Sequence, residues 1–389
     1  MFFRLLAFST SMFALAGCTV APVTPLPEAQ IWQDKAFQYQ PQNVAETLAT
    51  LFDLDESVLR SIKAVDRQSY TTERRLDQLL SQLYGKDGIR LSYASGHSTG
   101  ATQTWNDKRG DCLSLTILTY AAARSLGLAP HMQEVRVPVA IDRRDGVDFI
   151  NGHVNVFIRN NSVIAINGRS LQPGGLIIDF DPQAGSQQMG LWLTEDQILA
   201  RFYNNRATEY LVQEDDERAY AYYKSAITAD PYLGLAFANL AQLYQRRGLL
   251  QSAEQLLLHA IALQGPSYAP LRSMHQLLQA QGRAADAQHY ADLLKKRENE
   301  DPYYWLGLGL AAIQGERFES AVNDLERAAS LTSGFEEIHR NLAIAYWRNG
   351  QRDAANQQLK LLTALNSKDP AIALLSRKMR ESAPKSKTY

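Results

Sequence analysis

Cysteine is nearly missing from this chain: 389 residues hold two, Cys18 and Cys112. At most one disulfide can therefore form within it, and each cysteine has to be explained on its own. An excess of charge of either sign is also lacking, with 40 Lys and Arg against 41 Asp and Glu. No basic run stands out, so nothing points to nucleic acid. Beyond the first residues no apolar stretch approaches the roughly 20 positions that a membrane-crossing helix needs. His97, His131 and His153 show no ligand-like spacing, so neither a metal nor another cofactor is expected.

What is present begins with MFFRLLAFSTSMFALAGCTV. Arg4 precedes an apolar run from Leu5 to Ala16 that is too short to span a bilayer, and small residues follow it. That is the layout of an export signal. Its end, Leu15-Ala16-Gly17-Cys18, resembles the lipobox of bacterial lipoproteins. The resemblance implies that residues 1–17 are removed and that Cys18 becomes a lipidated first residue. Thr19, in place of Asp, implies the outer rather than the inner membrane. The expected location is the bacterial cell envelope, facing the periplasm, with the membrane touched only through the N-terminal lipid. Residues 18–42, rich in Pro, Ala and Gln, read as a flexible tether. With Cys18 committed to lipid, a disulfide to Cys112 is not expected. Two readings of Cys112 remain: a small buried hydrophobe or a nucleophile.

The C-terminal half repeats. Ala219, Ala253, Ala287, Ala321 and Ala355 are 34 residues apart each time. Tyr223, Leu257, Ala291, Leu325 and Leu359 keep the same register, as do Ala207, Ala241, His275, Gly309 and Ala343. Turn glycines fall at Gly248, Gly282, Gly350 and, one place early, Gly315. This pattern is similar to the tetratricopeptide repeat, which implies pairs of antiparallel helices stacked into an all-α solenoid over residues 194–380. Small residues at fixed positions let two helices approach, and a lone pair cannot bury its apolar face, so units stack. Five units are expected, with 369–380 as a capping helix and 381–389 as a polar tail. Tyr203, Tyr210, Tyr220, Tyr222 and Tyr223 crowd the first unit and read as core and inter-domain packing. The concave face of such an array commonly holds peptides or proteins.

Residues 43–193 have another texture. Apolar residues recur at helical spacing through Leu48, Leu51, Leu59, Ile62, Leu76 and Leu79. The run from Asp111 to Gly127 reads as a helix that starts at Gly110-Asp111, stops at Gly127 and is apolar nearly all round. Cys112 falls on its first turn, where unpaired backbone N–H groups and the helix dipole favour a thiolate. Strands follow: alternation through Val135, Val137 and Val139, then His153 to Ile158, then Val163–Ile166 and Leu176–Ile178. Period two puts His153, Asn155 and Phe157 on one face. Asp179 and Asp181 lie just past the last strand.

Cysteine on a helix start, histidine heading a strand and aspartate closing another are the groups that thiol-dependent acyl transfer requires: a nucleophile, a base and an orienting carboxylate. Gly110-Asp111-Cys112, Gly152-His153-Val154-Asn155-Val156 and Ala122-Ala123-Arg124-Ser125-Leu126-Gly127-Leu128 together resemble the transglutaminase-like superfamily. The resemblance covers about 70–182. It implies an α+β, cysteine-peptidase-like domain with Cys112, His153 and Asp179 as triad, and Asp181 as the alternative acid. Asp179 is preferred because it directly follows the apolar strand, whereas Asp181-Pro182 looks like a turn. Val154 stands where the family often has an aromatic residue. The oxyanion donors would be the Cys112 backbone N–H and a side chain among Tyr93, Gln103 and Trp105.

The function expected is thiol-dependent transfer or hydrolysis of peptide or isopeptide amides, on a protein or peptide substrate, with the repeats engaging envelope partners. The alternative is a scaffold that assembles envelope proteins without chemistry of its own.

Overall fold

The architecture comes from a computed structural model that describes residues 26, 31–66, 71–85, 88–94, 96–137, 141–144, 147–150, 152–159, 171–172, 174–180, 188–264, 268–332, 336–365 and 370–381. Cys18, Asp181, the Val163–Ile166 run and the 381–389 tail beyond its first residue lie outside the described residues.

The N-terminal unit sets helices against a sheet. Helices α1 (Leu48–Leu51), α2 (Glu56–Asp66), α3 (Thr72–Tyr84), α4 (Ala101–Asp107) and α5 (Cys112–Ser125) lead into strand β3 (Pro130–Val135). Before α5, β1 (Ser92–Tyr93) pairs in parallel with β2 (Arg109–Gly110). After β3 come a hairpin of β4 (Ile141–Arg144) and β5 (Val147–Ile150), then β6 (His153–Arg159), β7 (Leu171–Gln172), β8 (Gly175–Ile178) and β9 (Leu191–Leu193). The main sheet is antiparallel, in the order β7-β8-β6-β3-β9. The strand after α5 runs from Pro130 to Val135, and Arg136 and Val137 follow it outside any strand; Val139 lies outside the described residues.

Helix α5 is buried on nearly every side, from Leu113 through Ala123. Its Leu113, Ile117 and Leu118 join one core with Val154, Val156, Ile158, Met132 and Ile178 from the sheet. Alternation along β6 therefore turns Val154, Val156 and Ile158 to the helix, and His153, Asn155 and Phe157 to the opposite face.

Residues 194 onward form five antiparallel helix pairs. They are α6 (Glu195–Val212) with α7 (Asp216–Ala229), α8 (Gly234–Arg246) with α9 (Leu250–Gln264), and α10 (Tyr268–Ala280) with α11 (Ala284–Glu300). Then come α12 (Pro302–Gln314) with α13 (Phe318–Leu331), α14 (Glu336–Arg348) with α15 (Arg352–Leu365), and a last helix α16 (Pro370–Glu381). Thr194 caps α6 through a reciprocal bond with Gln197. The small-residue column marks helix crossings: a Cβ on Gly309 would meet Leu325 Cγ at 2.5 Å. His275 fits the same column because its Nδ1 reaches the Ala287 carbonyl, 2.9 Å away.

The turn between paired helices differs from the glycine pattern in one respect. Positive φ recurs at Glu214, Gly248, Gly282, Glu316 and Gly350, every 34 residues. Gly315 is not the left-handed residue; its φ is −84°, and Glu316 takes the positive φ of 56°. A glycine one place out of register does not move the turn, because the helix length fixes where the left-handed residue must fall.

A second correction concerns the tether. Residues 31–42 are not a flexible link but a strap folded onto the first two repeats. Phe37 is fully buried and stacks on Tyr220 at 4.5 Å and Tyr244 at 5.5 Å between ring centroids. Tyr220 Oη donates to Asp34 Oδ1 (2.7 Å), Lys224 Nζ lies 2.8 Å from the same oxygen, and Tyr244 Oη donates to the Ile31 carbonyl. Farther along, the Glu46 carbonyl accepts from Tyr203 Oη (2.6 Å). Composition hid this: one phenylalanine among Pro, Ala and Gln is enough to anchor a segment when an aromatic slot awaits it. Burying such a ring contributes about 2 kcal/mol. Tyr220 of the first repeat and Tyr244 of the second are the slot, and burial raises the ionisation of Tyr220, Tyr222 and Tyr223 well above the ordinary phenol value.

Candidate functional site

Topology decides which end of the sheet Cys112 meets. Helix α5 runs from Cys112 to Ser125, and β3 begins five residues later at Pro130. Pro130 pairs with Ile158, and Val135, at the other end of β3, pairs with His153. The chain thus doubles back along the helix, so that His153 lies at the end of the sheet where α5 starts. A side-chain bond fixes this approach: Thr116 Oγ1 donates to the Val154 carbonyl at 3.4 Å. Thr116 is one helical turn after Cys112 and on the same helix face. Cys112 is therefore one turn nearer the helix start than a contact adjacent to His153.

The helix start is firmly made. Asp111 caps it, taking Ser114 N–H at 2.7 Å and Ser114 Oγ at 2.6 Å on Oδ1 and Ser98 Oγ on Oδ2. Gly110 is required there, since a Cβ would lie 2.8 Å from Ser114 Cβ. Cys112 itself is half-buried.

Across the sheet, His153 Nε2–H donates to Asp179 Oδ2 at 2.8 Å, and the two side chains are only 2% and 1% exposed. Asp179 stands one residue beyond the last registered pair of β6 and β8, Val156 with Ile178. Alternation turns it to the face of His153 and Asn155. With Nε2 engaged by Asp179, Nδ1 is the other ring nitrogen.

Asn155 and Gln133 were not singled out by sequence reasoning, and both belong to this arrangement. Asn155 Nδ2 donates to the same Asp179 oxygen at 3.2 Å. Gln133 Nε2 donates to Asn155 Oδ1 at 2.8 Å, and Gln133 Oε1 accepts Gly190 N–H at 3.0 Å. All of the side-chain length of Gln133 and Asn155 is buried. A buried carboxylate needs such donors, because ionisation away from water is otherwise strongly unfavourable. The sequence signal was there to see: an amide two residues past His153, on the same strand face.

The competing histidines sit elsewhere. His97 is exposed, with Nδ1 beside Glu209 (2.8 Å) and Arg206 (2.9 Å). His131 packs edge-on against Trp192 at 4.2 Å, and its pKa is lowered by burial and by the charge of Arg159. Of the upstream oxyanion candidates, Gln103 spends its amide on Asp107 and Trp105 is buried in the core. Tyr93 is half exposed and in register with Gly110, two residues before Cys112. Among the described residues no cluster of three His, Cys, Asp or Glu is arranged to hold a metal ion, and no helix is long and apolar enough to cross a membrane.

Comparison with known proteins defines the class of the C-terminal half. The family model of the tetratricopeptide repeat matches residues 200–232 and again 312–379. The chain carries tetratricopeptide repeats. Solved structures similar to it include Pseudomonas aeruginosa pilF, at 18% identity over 48% of this chain and 86% of that one, with a TM-score of 0.26. PilW, a widely conserved type IV pilus biogenesis factor, is 21% identical over 47% and 84%, with a TM-score of 0.25. YrrB, a tetratricopeptide-repeat protein with an unusual peptide-binding site, is 17% identical over 46% and 92%, with a TM-score of 0.24. No curated protein matches the chain.

Proposed function

We propose that this protein is a lipid-anchored envelope enzyme in which a transglutaminase-like thiol site acts on amide bonds and the repeats hold a protein or peptide. One observation carries the reading: a buried imidazole–carboxylate pair, His153 and Asp179, at the end of the sheet where a helix start presents Cys112. Structural cysteines have no use for such a pair.

The chemistry is that of acyl transfer. The Cys112 thiolate attacks an amide carbonyl carbon, the C–O π pair moves onto oxygen, and the imidazolium gives its Nδ1 proton to the leaving amine as the C–N bond breaks. A thioester on Cys112 remains. Water, losing a proton to His153, then releases a carboxylic acid; an amine in its place gives a new amide. Asp179 orients the ring through Nε2. The Cys112 backbone N–H and the Tyr93 side chain are the oxyanion donors.

Cys18 in its lipobox setting supports a lipid anchor at the outer membrane, with the body in the periplasm. Tetratricopeptide arrays as a class bind proteins and peptides, which supports such a partner on the concave face. A scaffold without chemistry is the second reading, favoured because the family matches fall on the repeats alone. A peptide-based electrophile separates the two. It should modify Cys112 in the intact chain and fail on the His153→Ala variant; equal modification of both, or of neither, leaves the scaffold reading.

A further inference from the structure

We propose that the first helix of the repeat array is a working part of the site, with a polar stripe on α6 that sets thiol and imidazole relative to each other. The proposal rests on the acyl-transfer reading above. Arg201, Asn205 and Glu209 are spaced four apart and so share one face of α6. Each reaches out of the array into the N-terminal unit.

Arg201 serves the imidazole side. Its Nη2 donates to Glu134 Oε2 at 2.7 Å, while Nη1 takes the Gln197 carbonyl at 3.0 Å and lies 3.6 Å from Asp230. Glu134 is registered with Val154, and its Oε1 sits 2.7 Å from where a Cβ on Gly152 would be. The Arg201–Glu134 pair therefore closes over the backbone immediately before His153. Only glycine fits there while Glu134 holds that place.

Asn205 and Glu209 serve the thiol side. Asn205 Nδ2 donates to Ser98 Oγ at 3.1 Å, and Ser98 Oγ donates in turn to Asp111 Oδ2, the cap of α5. Glu209 Oε1 accepts Ser98 N–H at 2.8 Å. Ser98, in the middle of this relay, is 2% exposed. It ends on Asp111, one residue before Cys112.

Two chains of bonds thus leave one rigid helix, and each ends next to a reacting residue. Arg201 and Asn205 are one turn apart, about 6 Å along the axis. A helix holds that separation far better than the loops that carry Ser98 and Gly152. These are positioning residues: none touches the reacting atoms, and their effect is on geometry.

The test measures how fast iodoacetamide alkylates Cys112 at pH 6, in the full chain carrying Cys18→Ser so that a single thiol remains. Arg201→Gln and Asn205→Leu should each slow alkylation by about tenfold or more, since small misplacements of reacting groups have effects up to a hundredfold. Arg201→Lys, which keeps a cation for Glu134, should recover most of the rate. Arg218→Gln, which breaks an ion pair with Asp215 elsewhere in the first repeat, should leave the rate alone. Melting temperature is read on every variant. Unchanged alkylation with a lowered melting temperature would make α6 a packing element and overturn the proposal. Wild-type alkylation no faster than that of the unfolded chain would overturn both this proposal and the acyl-transfer reading.

Discussion

The Asn155 side-chain amide lies 3.2 Å from Asp179 Oδ2, the oxygen that also receives the Nε2–H of His153. The Asp179 carboxylate is thus held by two side chains, and Gln133 holds Asn155 from behind. This chain makes the first prediction. Asn155→Leu leaves Asp179 with one donor fewer in a buried place, a loss on the order of 1–3 kcal/mol. Cys112 alkylation should slow in Asn155→Leu and in Gln133→Leu, and the double variant should be slowed by less than the product of the two. Rates that multiply independently would separate Gln133 from the site.

The turn register makes the second. Glu316 occupies a left-handed position that Gly248, Gly282 and Gly350 fill in sister repeats. A residue with a Cβ is strained there by roughly 1 kcal/mol. Glu316→Gly should raise stability by up to about 0.5 kcal/mol once the entropy that glycine loses on folding is subtracted, and Gly282→Ala should lower it. Thermal or urea unfolding reads both changes.

How far the sequence could be read follows from the kind of signal each feature gives. The helix pairs were legible because a 34-residue period repeats small residues at every crossing. The pairing of His153 with Asp179 depends on a strand register that no local pattern contains, though the alternation that aims both at one face is visible. Gln133 was opaque because its partner is on another strand, and a lone amide inside a strand carries no signature. The strap was misread because linker composition describes an average, whereas one ring at Phe37 meeting Tyr220 decides the matter. The expected glycine at the fourth turn was misplaced because Gly315 is a residue of the right type one step from the position that needs it.

The strap makes the third prediction. Phe37→Ala removes a fully buried ring between Tyr220 and Tyr244 and should destabilise the protein by about 3 kcal/mol. Proteases should then cut between residues 31 and 46 far faster than in wild type. Equal cutting would mean that the segment is held by something other than this contact.

Asp34 gives the strap a pH dependence. Burial raises its pKa, but hydrogen bonds from Lys224 and Tyr220 and the Lys224 charge outweigh that and hold the carboxyl below its ordinary 3.8. A depressed carboxyl contributes stability that is fully present above the ordinary value and is lost as pH falls through the depressed one. Asp34 is about half exposed, so the contribution is under about 1 kcal/mol. Asp34→Asn should therefore melt slightly below wild type at pH 7, and the gap should close as pH falls beneath 3.8. A gap that persists in strong acid would place its origin in packing.

The central claim is that Cys112 is a thiolate nucleophile served by His153. The most direct measurement is the rate of Cys112 alkylation from pH 4 to pH 10 in the full chain carrying Cys18→Ser, with and without His153→Ala. The account predicts thiolate-like reaction well below pH 8 in the first protein, and a shift of the onset toward the ordinary thiol value of about 8.5 in the second. An onset near 8.5 in both would contradict it.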